Sequence, residues 1–122
     1  MRVLFSNPAA EEEQIWLPYT WGRFREYCDN HSSYDLSSVE WLDPIYFGYF
    51  DVNKLVEEID FSSVDILLCS FYVWNETRQI EIARRAKLQN PNILILGGGP
   101  QAQYKPHQNT KLYEALDFIT PY

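Results

Sequence analysis

The stretch DILLCSFYVWNETRQIEIARRAKLQNPNILILGGGP, residues 65–100, decides the fold of this chain. Residues 65–71 are nearly all apolar, which is typical of a strand buried on both faces of a parallel sheet. A helical pattern of apolar residues follows over 75–89, and Asn75 suits the N-cap position. A second aliphatic run at 92–96 ends in three glycines. The stretch therefore predicts a strand–helix–strand unit with parallel strands.

The same alternation of strands and helices extends over the rest of the chain. Further strands are predicted at 2–6, at 38–42 and from 117 onward, and further helices at 21–27, 52–60 and 111–116. With 122 residues the chain is long enough for one domain and too short for two. We predict a single α/β domain over 1–122: a doubly wound, five-stranded, mostly parallel sheet, Rossmann- or flavodoxin-like, with strand order 2-1-3-4-5.

Composition argues against several classes of partner. The formal net charge is -7 and no basic stripe is present, so a nucleic-acid backbone is not an expected ligand. No apolar segment approaches the roughly 20 residues needed to span a bilayer, so no membrane association is expected. The two cysteines, Cys28 and Cys69, form neither a Cys-x-x-Cys pair nor a zinc-ligand pattern. This usage favours a reducing, cytoplasmic location.

Ligands of open parallel sheets bind beyond the carboxyl ends of the strands, where the strand order reverses. Three loops meet that condition here, and they follow Ser6, Ser70 and Leu96. The second loop carries large aromatic residues and the third is a run of glycines, which lets a bulky group approach the backbone. Two plainer interpretations stay open, namely that the glycines form only a turn and that the aromatic rings belong to the core.

Several well-known phosphate-binding and signalling sites do not fit these loops. The glycines lead into Pro100 rather than a Gly-Lys-Ser/Thr ending, and no glycine follows the first strand as a dinucleotide site requires. A flavin phosphate would meet the acidic sequence NPAAEEE. A phosphorylated receiver domain would need acidic residues where Ser6-Asn7 and Ser70-Phe71 stand. The run Glu11–Glu13 is interpreted as a solvated charge run rather than an acid–base site.

Residues 65–100 resemble the cobalamin-binding domain that precedes the radical S-adenosylmethionine (SAM) core in cobalamin-dependent radical SAM enzymes. In that family the third strand runs into a Ser-x-Tyr-x-Trp-Asn segment, followed by a helix ending near Asn-Pro, a strand and a Gly-Gly-Pro-like turn. The matching positions here are Ser70, Tyr72, Trp74, Asn75, Asn90, Pro91 and Gly97 to Pro100. The segments MRVLFSNP and VEWLDPIYFGYFD also resemble that family.

The resemblance implies that the chain binds cobalamin (vitamin B12), a flat corrin ring with a long nucleotide tail. The tail would enter the cleft beside the third and fourth strands, where Ser70 could hydrogen-bond it, and the corrin would rest on the loops. The implied cofactor-binding residues are Asn7, Pro8, Ser70, Phe71, Tyr72, Val73, Trp74, Asn75, Gly97, Gly98, Gly99 and Pro100. No catalytic residue and no protein ligand to the metal are expected.

The expectation of no metal ligand comes from a missing histidine. Cobalamin domains of the mutase and methionine-synthase type carry an Asp-x-His-x-x-Gly loop after the first strand, and here that loop reads NPAAEE. His31 and His107 are interpreted as solvent-facing side chains, because a metal site needs geometry as well as residue type. The resemblance implies that Trp74 or Asn75 caps the lower face of the corrin instead.

The chain also lacks the Cys-x-x-x-Cys-x-x-Cys motif that holds the iron–sulfur cluster of radical SAM enzymes. The cluster and SAM would therefore belong to a missing downstream domain, and this chain alone should bind cobalamin and catalyse little. Its expected partner is a radical SAM catalytic domain or subunit. The alternative is a cofactor-free Rossmann-like interaction or signalling module.

Overall fold

The structure, a computed structural model, describes residues 1–9, 19–46, 51–102 and 113–120. It confirms the predicted fold class and strand order: the sheet has five strands in the order β2-β1-β3-β4-β5, and every neighbouring pair is parallel. The strands are β1 Arg2–Ser6, β2 Glu40–Trp41, β3 Ile66–Ser70, β4 Leu94–Gly98 and β5 Phe118–Ile119. The helices are α1 Tyr19–His31, α2 Val52–Glu58 and α3 Glu76–Gln89, with a 3-10 turn at Phe61–Ser63.

One face of the sheet is the core of the molecule. The register places Leu4, Leu67 and Ile95 side by side on this face, and α2 and α3 cover them. Leu67 and Ile95 are completely buried. The core face therefore shows the burial expected of a strand face in a helix-covered parallel sheet.

The other face is covered by α1 at the β1 side. The Trp21 ring stacks on Phe5 with 6.1 Å between the ring centroids, and it also lies 5.2 Å from the Trp41 ring. The strand residues Phe5, Leu68, Ser70, Leu96 and Gly98 share this face, because they follow one another in the parallel register. We call it the α1 face.

Strand β4 differs from the sequence-based prediction of 92–96. It begins two residues later, and Gly97 and Gly98 are its last residues rather than part of a turn. The reason is tertiary: Gly97 pairs with Cys69 and Ile119, and Gly98 pairs with Ser70. Pairing with neighbouring strands outweighs the low strand propensity of glycine.

Other element boundaries also shift. Helix α1 is longer than predicted, whereas β2 has two residues rather than five. Of the helix predicted at 111–116, residues 113–115 form a turn and 111–112 lie outside the described residues. None of the helices in the described ranges is long and apolar enough to cross a membrane.

Candidate functional site

A buried amide network holds the loops after β1 and β3 together. Gln79, on α3, is completely buried, and its Nε2 donates to the carbonyl oxygens of Ser6 (2.6 Å) and Ser70 (3.0 Å). The Ser6 hydroxyl donates to Gln79 Oε1 over 2.7 Å. Amides inside a core are stable only when their hydrogen bonds are satisfied, so this network fixes the spacing of the two strand ends.

Asn75 completes that network one turn earlier. Its Nδ2 donates to Asn7 Oδ1 (3.0 Å) and to the Ser70 carbonyl (3.1 Å), and its Oδ1 accepts from the Tyr72 amide (2.9 Å). Asn75 stands at the predicted N-cap position of α3, but its side chain makes no cap hydrogen bond to the helix. The amide is used instead to fold the Tyr72–Asn75 turn against the loop after β1.

A cavity of about 280 Å³ opens on the α1 face at the carboxyl ends of β3 and β4. Five of the predicted cofactor-binding residues line it: Ser70, Tyr72, Gly97, Gly98 and Gly99. The further lining residues are Phe5, Thr20, Phe24, Leu68, Cys69, Leu96 and Thr120. The lining is mostly apolar with a few hydroxyl groups, as is usual for the binding site of an organic ligand.

Gly98 keeps this cavity open. A Cβ at Gly98 would lie 2.8 Å from Thr120 Oγ1, on the cavity side of the sheet. Ser70, the strand partner of Gly98 on β3, is 7% exposed. Among the described residues, its hydroxyl group has no hydrogen-bond partner. A missing side chain and an uncommitted hydroxyl thus lie next to each other at the cavity floor, and both favour a ligand there.

The two other glycines have structural roles. A Cβ at Gly97 would point into the core, 2.8 Å from Leu116 Cδ1 and 3.1 Å from Phe71 Cε2. Gly99 has a φ of 102°, and a Cβ there would lie 2.6 Å from the Phe71 carbonyl oxygen. Only glycine adopts this conformation without strain, so Gly99 makes the turn that ends β4.

A pair of stacked aromatic rings forms one rim of the cavity. The Tyr72 and Trp74 rings lie 4.5 Å apart with an interplanar angle of 11°. Tyr72 lines the cavity, whereas Trp74 is 51% exposed and its neighbour Val73 is 74% exposed. These rings are therefore not core residues, which decides against one of the two plainer interpretations of this loop.

The remaining predicted residues other than Pro100 lie beneath the rim. Phe71 is completely buried, and its ring packs edge-on against Tyr113 in the core. Pro8 is also buried, and Pro100 is exposed in the turn that follows Gly99. Asn7, Pro8, Phe71 and Asn75 thus shape the loops from the core side, away from the cavity lining.

The histidines contribute no group to the cavity in the described part of the chain. His31 is the last residue of α1 and is exposed, with its ring 4.6 Å from Tyr27. Thr20, the second residue of α1, lines the cavity, and the helix is about 20 Å long, so His31 lies near the opposite edge of the sheet. His107 and Glu11–Glu13 lie outside the described residues. No three side chains suited to a metal ion cluster in the described ranges.

Burial dominates the electrostatics of the residues around the cavity. Burial raises the pKa of the Cys69 thiol to about 12, so this cavity residue is uncharged. On the core side, burial together with a hydrogen bond to Glu76 raises the pKa of Tyr113. Neither group supplies a charge to the cavity.

The sequence-based prediction missed several lining residues, namely Phe5, Thr20, Phe24, Leu68, Cys69, Leu96 and Thr120. Thr20 and Phe24 are four residues apart on α1, and this spacing indicates one helix face. The spacing of Leu68 and Ser70 likewise predicts a shared strand face. Which face carries the cavity depends on where α1 packs, and the local pattern does not contain that information.

Comparisons with known proteins give two relatives, and no protein-family model matches the chain. The chain is 29% identical over 107 residues to the cobalamin-dependent radical SAM methyltransferase TokK of Streptomyces tokunonensis, covering 88% of this chain and 15% of that protein. It is 29% identical over 91 residues to the 2-(S-pantetheinyl)-carbapenam-3-carboxylate methyltransferase of Streptantibioticus cattleyicolor, covering 75% of this chain and 13% of that protein. The chain is thus similar to a small segment of two methyltransferases, one of which is named as cobalamin-dependent.

Proposed function

We propose that this chain binds cobalamin at the carboxyl edge of its sheet, as the cofactor-binding part of a radical SAM methyltransferase-like enzyme. The observation that carries the proposal is the cavity beside Gly98 and Ser70, at the place where the predicted nucleotide tail would enter. Similarity to a cobalamin-dependent methyltransferase over 88% of the chain supports the same assignment.

The size and chemistry of the cavity fit one part of cobalamin. A volume of about 280 Å³ lies at the lower end of the range of roughly 300–1,000 Å³ for small-molecule sites. It suits the heterocyclic end of the nucleotide tail rather than the whole cofactor. Leu68 and Leu96 would pack against that heterocycle, and the Ser70 hydroxyl would donate to one of its polar atoms.

The corrin would lie outside the cavity, over the stacked pair Tyr72 and Trp74. The exposed Trp74 ring offers a flat apolar surface, and the buried Asn75 amide holds the turn that carries it. Asn75 is fully occupied by these hydrogen bonds, so Trp74 is the better candidate to cap the lower face of the corrin. Bound cobalamin would supply a cobalt centre able to carry a methyl group.

We further propose that no histidine of this chain ligates the cobalt and that 1–122 acts as one cofactor-binding domain. Catalysis would require an iron–sulfur cluster and SAM on a radical SAM domain or subunit, which would be the partner of this chain.

The first test mixes the purified chain with hydroxocobalamin, removes free cofactor by desalting and records the visible spectrum. Retained corrin absorbance near one equivalent is the expected result. A colourless protein would contradict the proposal and favour the cofactor-free interaction module.

One variant and a matched control test where the cofactor binds. Trp74→Ala should lower the retained fraction at least several-fold, because the main apolar contact to the corrin is lost. Tyr34→Ala is the matched control, since Tyr34 is 81% exposed and follows the far end of α1. An equal loss of retained cofactor in both variants would contradict the proposal that the corrin lies on the Tyr72 and Trp74 rings.

Histidine variants test the cobalt ligand separately. His31→Ala and His107→Ala should leave the visible spectrum of the bound cofactor unchanged. A shift of the absorption bands in either variant would show that a histidine reaches the cobalt, and the claim of a histidine-free site would then be wrong.

A further inference from the structure

The lining of the cavity divides into two rows that differ in polarity. The parallel register pairs Ser70 with Gly98 at the carboxyl edge of the sheet, and it pairs Leu68 with Leu96 two residues earlier on the same strands. Two strand residues extend about 7 Å, so the leucines lie that much deeper in the cavity. We call the residues at the level of Ser70 the edge row and those at the level of Leu68 the deep row.

The edge row carries hydroxyl groups. The Ser70 hydroxyl has no hydrogen-bond partner among the described residues. Thr120 Oγ1 lies beside Gly98 and donates a long hydrogen bond of 3.4 Å to the Gly97 carbonyl oxygen. Thr20, in the first turn of α1, adds a third hydroxyl residue to the lining. A hydroxyl group both donates and accepts, so the edge row can satisfy a polar atom of a ligand.

The deep row is apolar. Leu68 and Leu96 form its floor, and Phe5 lies next to Leu68 in the register of β1 and β3. Phe24 follows Thr20 on α1 by about one helical turn and therefore lies at the deeper level. The backbone groups of these strands are engaged in the parallel ladder. A polar ligand atom at this level would lose its hydrogen bonds to water without replacement, which weakens binding.

Such a distribution of polarity discriminates between two classes of bicyclic base. A benzimidazole has both nitrogens in its five-membered ring, and its six-membered ring is hydrocarbon. Adenine has further nitrogens in the six-membered ring and an amino group attached to it. With the five-membered ring at the edge row, each base offers a nitrogen to Ser70. Only the benzimidazole then places nothing but hydrocarbon against Leu68 and Leu96.

We propose that the cavity selects among cobamides, the cofactors that share the corrin of cobalamin and differ in the base at the end of the nucleotide tail. It favours a benzimidazole, the base of cobalamin, over a purine. Leu68 and Leu96 are the specificity-determining residues, whereas Ser70 holds the ring nitrogen that both bases have. This proposal rests on the proposed function, because it takes the nucleotide tail as the occupant of the cavity.

The test compares two cofactors that differ only in this base, namely hydroxocobalamin, which carries 5,6-dimethylbenzimidazole, and the hydroxo form of the adenine cobamide. Equilibrium dialysis with detection of the corrin absorbance gives a dissociation constant for each. Their ratio, adenine over benzimidazole, is the selectivity of a chain. Release of the base from cobalt is a property of the free cofactor, so its cost cancels when the selectivities of two chains are compared.

Leu96→Asn should lower the selectivity about fivefold or more, because its amide can bond to the six-membered ring of adenine and is left unpaired beside the benzimidazole. Ser70→Ala should weaken both complexes by a similar factor and change the selectivity by less than about twofold. Leu88→Asn, at a 79% exposed position on α3, is the matched control and should leave both dissociation constants unchanged.

Two further measurements separate base selection from damage to the fold. Far-UV circular dichroism checks the folding of each variant, and Leu68→Thr is a milder substitution that should also lower the selectivity, since threonine suits a strand. Cobinamide, which lacks the nucleotide tail, should bind equally to the unmodified chain and to the Leu96→Asn chain. Unequal binding of cobinamide would contradict the assignment of Leu96 to the base.

A selectivity that stays the same in Leu96→Asn and Leu68→Thr would overturn this proposal, and the proposed function would stand as long as hydroxocobalamin is bound. A change in Ser70→Ala as large as that in Leu96→Asn would also overturn it, because the edge row would then choose the base. If the unmodified chain binds neither cofactor, the proposed function itself fails, and the selectivity fails with it.

Discussion

At the residue scale, neighbouring glycines at the end of β4 face opposite sides of the sheet. Gly98 faces the cavity and Gly97 faces the core, because successive strand residues alternate between the two faces. A Cβ added at Gly98 would meet only the movable hydroxyl of Thr120, whereas a Cβ added at Gly97 would meet Phe71 and Leu116. The same substitution should therefore have different effects at the two positions.

We predict that Gly98→Val folds but retains at most a tenth of the hydroxocobalamin held by the unmodified chain, because the valine fills the floor of the cavity. The measurement is corrin absorbance after desalting. Gly22→Val is the control, since nothing lies within 4 Å of the position where its Cβ would be.

Gly97→Val, one residue earlier, should instead lower the free energy of unfolding by about 1–3 kcal/mol through overpacking. Urea denaturation of the Gly97→Val chain and the unmodified chain measures this difference in the free energy of unfolding. A Gly98→Val chain that retains the full amount of cofactor would place the ligand elsewhere.

The buried amide of Gln79 gives a second prediction at this scale. Gln79→Leu should lower the free energy of unfolding by about 2–4 kcal/mol, because the Ser6 hydroxyl and the Ser6 carbonyl lose their amide partner and the Ser70 carbonyl keeps only the one from Asn75. Urea denaturation measures the loss. Thr77→Leu, at an exposed position of α3, should change stability by less than about 0.5 kcal/mol.

A double-variant cycle separates this network from simple packing. Ser6→Ala should cost less in the Gln79→Leu chain than in the unmodified chain, because the hydroxyl that it removes has already lost its partner. Strictly additive costs would mean that the two side chains do not depend on each other.

At the element scale, Asp117 ties β5 to its neighbours. Its carboxylate accepts from the Ile95 amide over 2.7 Å and from Lys87 Nζ over 2.8 Å, so it connects β5 with β4 and α3. Burial by itself would raise the pKa of Asp117, but the hydrogen bonds from Lys87 and Ile95 outweigh it, and the pKa lies below its ordinary value of 3.8. The charged form is thus favoured by folding.

We predict that Asp117→Asn lowers stability by about 1 kcal/mol at neutral pH, since the amide loses the charged hydrogen bonds. The sign of the pH dependence follows from the lowered pKa. The contribution of Asp117 is complete above pH 3.8 and disappears as the pH falls through the lower folded-state value. Urea midpoints of both chains should therefore differ at pH 7 and converge as the pH falls below 3.8. A constant difference would contradict this assignment.

The strands and helices themselves were predictable to different degrees. β1 was predicted to the residue, because Asn7-Pro8 ends its apolar run. β4 was displaced by two residues, since partners on β3 and β5 extend the ladder through Gly97 and Gly98. Local propensity cannot reveal a strand end that is set by its neighbours.

At the scale of the whole molecule, the two thiols report on global unfolding. Cys69 is 3% exposed, and burial raises its pKa to about 12, whereas Cys28 is partly exposed on α1. At pH 8 the native chain should react with a thiol reagent at one cysteine, and at both in urea. Mass spectrometry of the labelled peptides identifies the sites. Rapid modification of Cys69 in the native chain would show that the core opens locally rather than globally.

The sequence by itself determined the alternation of strands and helices, and thereby the parallel sheet and the three loops at its carboxyl edge. It does so because apolar periodicity and turn residues are local properties of the chain. Only the tertiary structure decided that Gly98 faces a cavity, that Asn75 joins two loops, and that Leu94 and Phe118 lie on an open face. Each of these depends on which residues of other elements pack alongside, and α1 covers only part of one face.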